Sequence, residues 1–228
     1  RRATTQMMTR REAVRLVGWT SAGTWFPAAQ LGLNLAAASK AFALAATDAQ
    51  TPALAPGDPM SPQRLALIEE FRKQSEGLER KFDARRHTSE WVMPYRLFRS
   101  ATTEKVPLVM YLHGDGGLGG DNEKQLALGN VFGTRVWVLP ENQKHFPCHV
   151  VVPQTDRGWV RYDPTAMTNG MPKVIPGLGD GARLALEIVD ELRRELAIDE
   201  RSIYVTGQSM GGAGVWNMIT HRPGYFAA

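Results

Sequence analysis

Ser209 lies at the centre of Gly207-Gln208-Ser209-Met210-Gly211, a G-x-S-x-G pentapeptide. It is entered from the β-branched run Ser202-Ile203-Tyr204-Val205 and left through a helix-compatible stretch, residues 213–221. A serine hydroxyl is a poor nucleophile unless it is held exposed beside a base and an anion-stabilising pocket. A sharp strand-to-helix turn does the holding, and the helix N-terminus aims free N–H groups at a reacting carbonyl. Gly207 and Gly211 suit such a turn because a Cβ at either position would block a neighbouring backbone. The pattern predicts a nucleophile elbow, with the Met210 N–H as one donor to a developing oxyanion.

A second element follows the apolar run at residues 107–112, PLVMYL. It reads His113-Gly114-Asp115-Gly116-Gly117-Leu118-Gly119-Gly120. A glycine-rich loop after an early central strand can bring its own backbone against a substrate, so the N–H of Asp115, or of its neighbour Gly116, is the second expected donor. His113 is expected to shape this loop. Two other readings stand beside this one. Gly114-x-Gly116-x-x-Gly119 also fits a dinucleotide fingerprint, with Glu141 about 20 residues on, after Val136-Trp137-Val138-Leu139. Against it, the glycine run continues into Gly120-Asp121-Asn122, where the fingerprint requires a helix. The loop can also be a purely structural turn.

A serine nucleophile of this type takes its acid and then its histidine from later in the chain. After Ser209 come only His221 and no acid at all. His221 ends the helix that begins at the elbow, roughly 18 Å along the axis at 1.5 Å per residue, and reads as a C-terminal cap ahead of Pro223. His87, His145 and His149 read as surface or core residues. No histidine pair has metal-ligand spacing, so no metal and no cofactor is expected.

The elements that would position these groups alternate between strand and helix. Residues 95–98 alternate in polarity and read as an early strand. The unbroken apolar runs at residues 107–112 and 148–152 suit parallel strands covered on both faces. Residues 182–196 place Leu184, Ile188, Leu192 and Leu196 on one helical stripe. Asp121 is expected to cap a helix through about Leu128, and residues 158–181 read as a Gly- and Pro-rich excursion. Ser61-Pro62 opens an N-terminal helix expected to run to about Arg80. The pattern is that of an α/β chain with a mostly parallel central sheet flanked by helices. If the sheet stopped after the elbow strand, a hydrophobic edge would stand unpaired and solubility would be poor.

The chain has 228 residues and a formal charge of +4. Residues 1–43 hold six basic residues against Glu12 alone, so +5 lies there and −1 remains for residues 44–228. The body is near neutral and gives no support to nucleic-acid binding. The single cysteine, Cys148, excludes an internal disulfide. Arg10-Arg11 follows Met7-Met8, and an acid-free stretch rich in Ala, Leu and Gly runs to Ala41-Phe42-Ala43. Residues 1–43 thus resemble a twin-arginine export signal with a small-x-small cleavage site, which implies the export machinery as a partner and a periplasmic or extracellular location; a disordered or amphipathic N-terminus with a chance arginine pair is the alternative. Gly18, Gly23, Pro27 and Gly32 interrupt the stretch, so a stable membrane span is not expected. Residues 44–60, with Pro52, Pro56, Gly57 and Pro59, read as a linker to a domain over 61–228.

Three blocks carry a resemblance: residues 107–125 (PLVMYLHGDGGLGGDNEKQ), 147–154 (PCHVVVPQ) and 198–228 (IDERSIYVTGQSMGGAGVWNMITHRPGYFAA). Together they resemble an α/β-hydrolase group of peptidases, phospholipase/carboxylesterases and esterases, related to polyhydroxybutyrate depolymerases and feruloyl esterases. Phe82-Asp83-Ala84-Arg85 through Tyr95-Arg96-Leu97 is similar to that group's first strands. The resemblance covers roughly residues 80–228. It implies an α/β-hydrolase fold truncated after the elbow helix and a serine carboxylesterase acting through an acyl-enzyme on small or polymeric esters. Ser209 would be the nucleophile, with Met210 and Asp115 lining the oxyanion hole. Trp159 would lie near the acyl pocket, with His113, Gly116 and Gln208 completing the substrate contacts. The group's acid and histidine have no counterparts here, so the resemblance implies that they lie beyond residue 228 and that the chain as written is inactive or nearly so. A non-catalytic binding protein keeping the fold, and a serine peptidase, are the alternatives.

Overall fold

A computed structural model of the chain describes residues 62–168 and 171–228. The export-signal and linker expectations fall on residues 1–60, outside the described residues. The first helix, α1 (Pro62–Gln74), lies through Lys73 in one unit, and the second unit, the body, begins at its last residue, Gln74. The helix stops short of the expected Arg80. Gly77 adopts the left-handed region at φ 77°, and a 3-10 turn, Leu78–Lys81, follows.

The body is built on seven strands: β1 (Asp83–Thr88), β2 (Val92–Phe98), β3 (Val106–Leu112), β4 (His149–Pro153), β5 (Tyr162–Thr168), β6 (Met171–Val174) and β7 (Ile198–Gly207). Five of them form one sheet in the order β1-β2-β4-β3-β7. β2 runs antiparallel to both β1 and β4, while β4, β3 and β7 are mutually parallel. Four of the five strands therefore point the same way. The α/β reading with a mostly parallel sheet is what the chain forms.

The apolar runs explain the layering. Every residue of β4 is buried, and β3 is buried from Leu108 to Leu112. Strands covered on both faces need such continuous runs. One face packs Leu108, Met110, Leu112 and Val151 against helix residues Leu184, Ile188 and Leu192. The other packs Val109, Tyr111, Val150 and Val152 against Phe82, Leu126 and Val138.

The region between β3 and β4 departs from expectation. Asp121 Oδ1 does accept the N–H groups of Glu123 and Lys124, at 2.9 and 3.0 Å. The chain then forms two 3-10 turns, Lys124–Leu126 and Leu128–Asn130, in place of a regular helix. Short helices α2 (Val131–Arg135) and α3 (Pro140–His145) come next, with a 3-10 turn, Val136–Val138, between them. The dinucleotide reading needs a second strand ending in an acidic residue. Val136–Val138 is a buried turn, and Glu141 sits within α3, so that reading fails.

The excursion after β4 contains the hairpin β5–β6, which the Gly/Pro composition concealed. Its two legs meet at its root. A Cβ on Gly181 or on Gly179 would overlap the backbone of Gly158 or Trp159 respectively. Helix α4 (Asp180–Glu195) then leads to β7, and helix α5 (Met210–His221) leaves it. β7 is the edge strand of the sheet, as expected, and part of its outer side is covered. Ala227 N–H donates to the Ile203 carbonyl, and Val205 N–H donates to the Ala228 carbonyl. Among the described residues no helix is long and apolar enough to cross a membrane.

Candidate active site

β3 and β7 lie side by side in parallel, with Leu112 opposite Gly207, so the loops leaving both strands emerge at the same edge of the sheet. Ser209 occupies the bend between β7 and α5 at φ 53° and ψ −117°, and it is exposed. An L-residue with positive φ is held there by its surroundings. Here the flanking glycines do the holding. A Cβ on Gly207 would lie 2.6 Å from the Gly211 backbone, and one on Gly211 would lie 2.8 Å from the His113 carbonyl oxygen and overlap that of Leu112. Real Cβ contacts do not come so close, so the elbow closes only with glycine at both positions. Gln208 N–H donates to the Leu112 carbonyl at 3.3 Å, tying the bend to the end of β3.

The glycine loop reaches the same place. Gly114 passes within 3.6 Å of Ser209 Cβ, measured from where its own side chain would begin. Asp115–Gly117 forms a 3-10 turn, in which Gly117 N–H donates to Gly114 and Leu118 N–H to Asp115. Among the described residues, the N–H groups of Asp115 and Met210 have no hydrogen-bond acceptor. Asp115 and Gly116 are exposed. Asp115 follows Gly114, the residue that approaches Ser209, and Met210 follows Ser209 in the chain.

His113 supports the glycine loop, as expected, but neither it nor Trp159 is placed for the expected substrate contact. Both are fully buried, which leaves neither a surface to offer a substrate. Their rings pack at 4.9 Å, and the Trp159 indole N–H donates to the His113 carbonyl at 2.9 Å. Thr155 N–H donates to His113 Nε2 at 3.2 Å. That bond leaves Nδ1 as the protonated nitrogen, donating to the Gly114 carbonyl at 2.8 Å. Burial pushes the imidazole below its ordinary pKa, which keeps it neutral and keeps both bonds. The pair braces the glycine loop from beneath. Gln208 is also engaged in the scaffold, because its Oε1 accepts from the Tyr111 hydroxyl at 3.3 Å.

Asn130 stands in no sequence motif, yet it anchors the site. It is buried, and its Oδ1 accepts the Gly114 N–H at 2.9 Å. Asn217, on α5, similarly holds the root of the hairpin. Its Oδ1 accepts from Gly179 N–H and its Nδ2 donates to the Gly177 carbonyl. The one sequence signal for it is an asparagine within an otherwise apolar helical stretch, where a buried polar side chain must find partners.

The histidines are spoken for elsewhere. His87 faces Glu187 and Glu191, His145 faces Glu141, and His149 Nδ1 accepts from Ser100 N–H. His221 Nδ1 lies 2.8 Å from the Asn217 carbonyl at the end of α5. With His113 locked under the loop, none of the five stands against Ser209. Among the described residues no cluster of His, Cys, Asp or Glu could hold a metal ion.

Neither a protein-family model nor a curated protein matches the sequence. Solved structures do. A thermostable esterase is 34% identical, with a TM-score of 0.56 over 65% of this chain and 40% of its own. An esterase from the archaeon Pyrobaculum calidifontis is 21% identical, with a TM-score of 0.41 over 69% and 47%. An S-formylglutathione hydrolase from Agrobacterium tumefaciens is 17% identical, with a TM-score of 0.41 over 63% and 54%. The chain spans from two fifths to about half of these structures' length. The parallel core, the elbow at the end of β7 and the similarity to the thermostable esterase converge on one fold, and the chain carries the fold of the α/β-hydrolase superfamily.

Proposed function

We propose that the chain carries the nucleophile and the oxyanion hole of a serine hydrolase acting on carboxylic esters. The observation that carries this reading is Ser209 itself, exposed at φ 53° on a glycine-locked turn beside the unspent N–H groups of Met210 and Asp115. Ser209 Oγ attacks the ester carbonyl while its proton passes to a base. Charge develops on the carbonyl oxygen, and the two N–H groups stabilise it. Collapse expels the alcohol and leaves an acyl-serine, which water then cleaves. Each described histidine is engaged elsewhere, so this reading assigns the nucleophile and the oxyanion donors and names no base among them. Ester substrates are favoured by the similarity to a thermostable esterase, and the twin-arginine stretch supports export from the cytoplasm.

The complete gene product is assayed with p-nitrophenyl butyrate and with a chromogenic peptide, and is treated with a fluorophosphonate. Hydrolysis of the ester and a single adduct on Ser209 are expected. Ser209→Ala should cut kcat by at least a thousandfold, the range seen when a triad serine is removed. A Ser209→Ala variant keeping a tenth of the activity would overturn the assignment. A correctly folded protein silent in every assay would indicate a binding role for the same fold.

A further inference from the structure

Leu128 combines three properties that a structural residue rarely has together. It is the most exposed of the large apolar side chains described, at 73%. Its backbone stands at φ 50°, one of three non-glycine residues with positive φ among those described, alongside Asn122 and Ser209. It also stands beside the glycine loop. Leu128 Cδ1 lies 3.9 Å from where a side chain on Gly116 would begin, and the neighbouring Gly129 sits 3.3 Å from Gln208 Nε2 by the same measure. Asn130, two residues on, holds Gly114.

An exposed leucine gains little from burial, and a γ-branched side chain is disfavoured in the left-handed region. Folding alone would place glycine or asparagine there. Strained backbone of this kind concentrates where a site requires a particular side chain. We infer that Leu128 is an apolar wall of the ester site and sets a preference for esters with an extended apolar substituent. The inference rests on the hydrolase reading above. A substrate chain lying beside Gly116 would cover Leu128 and remove from water the surface that folding leaves bare.

The complete gene product, with Leu128→Ala and Leu128→Gly, is compared on p-nitrophenyl acetate and hexanoate for the acyl side, and on ethyl and hexyl acetate for the alcohol side. In the series whose chain meets Leu128, the long-to-short ratio of kcat/KM should fall about tenfold in both variants, the discrimination typical of a small apolar contact. Leu128→Gly should melt no lower than the parent, because it relieves the positive φ. Unchanged ratios in both series would overturn the inference, as would a lower melting temperature accompanied by equal losses on every substrate. Ser209→Ala in the same assays separates the two ideas. Serine-dependent turnover with unaltered ratios defeats only the role of Leu128, whereas serine-independent turnover defeats the hydrolase reading itself.

Discussion

Gly211 and Gly212 are adjacent in the first turn of α5, yet alanine should act on them with opposite sign. At Gly211 a Cβ would stand 2.6 Å from the Leu112 carbonyl carbon and 2.8 Å from the His113 carbonyl oxygen. Both are backbone atoms, at the buried end of β3 and the residue after it, so no side chain can swing aside. Relief requires α5 to move off β3, carrying Ser209 with it. Overpacking costs about 1–3 kcal/mol when side chains can adjust, and contact with backbone places this site at the top of that range, about 3 kcal/mol. At Gly212 the closest atom is the Gly207 carbonyl oxygen at 3.7 Å, an ordinary contact. There the gain from removing a helical glycine dominates, about 0.5 kcal/mol near a helix end. For a body of this size about 3 °C accompanies each kcal/mol. Gly211→Ala should therefore melt about 9 °C below the parent, and Gly212→Ala about 1–2 °C above it. Fluorophosphonate labelling of Ser209 should be lost in the first and kept in the second. Equal melting temperatures, or normal labelling in Gly211→Ala, would refute the claim that glycine closes the elbow.

Two further outcomes concern buried groups. Burial holds His113 below its ordinary pKa of about 6.5, so the unfolded chain binds a proton that the native state refuses. Its contribution to stability is complete above pH 6.5 and is lost as pH falls below it. The urea midpoint should be lower at pH 5 than at pH 7.5, and NMR should show the proton on Nδ1; a native ring protonated on Nε2 at neutral pH would contradict the assigned hydrogen bonds. Burial likewise pushes the Cys148 thiol up to about 11, against a smaller opposing effect from Gln143. Iodoacetamide at pH 8 should label it only in denaturant, and rapid labelling of the native protein would show that the second core face is open.

Much of the scaffold was legible because its signals are local. The runs at Leu108–Leu112 and Val150–Val152 announce covered strands, and Gly207 and Gly211 announce a tight bend, with no information needed from elsewhere. The features that escaped depend on partners distant in the chain. Trp159 and His113 lie 46 positions apart, and only folding reveals that each occupies the other's surface. Val136-Trp137-Val138 has strand composition but forms a 3-10 turn, because a cluster including Val109 and Phe82 needed filling from that side. Pro164 and Pro172 disguised the hairpin as loop, since proline tells against a central strand but is tolerated in an isolated pair. The left-handed backbone of Leu128 leaves no trace in residue type at all.

The hairpin between Gly158 and Gly181 departs from and returns to nearly the same point, and Asn217 clasps its base from the helix that bears Ser209. Closing a loop costs little more when the loop is longer, provided its ends are already fixed. Evolution can therefore lengthen, shorten or replace this appendage without disturbing the sheet, and an engineer can do the same. It is a natural graft point, where a foreign recognition peptide would be displayed from a base fastened to the nucleophile's own helix.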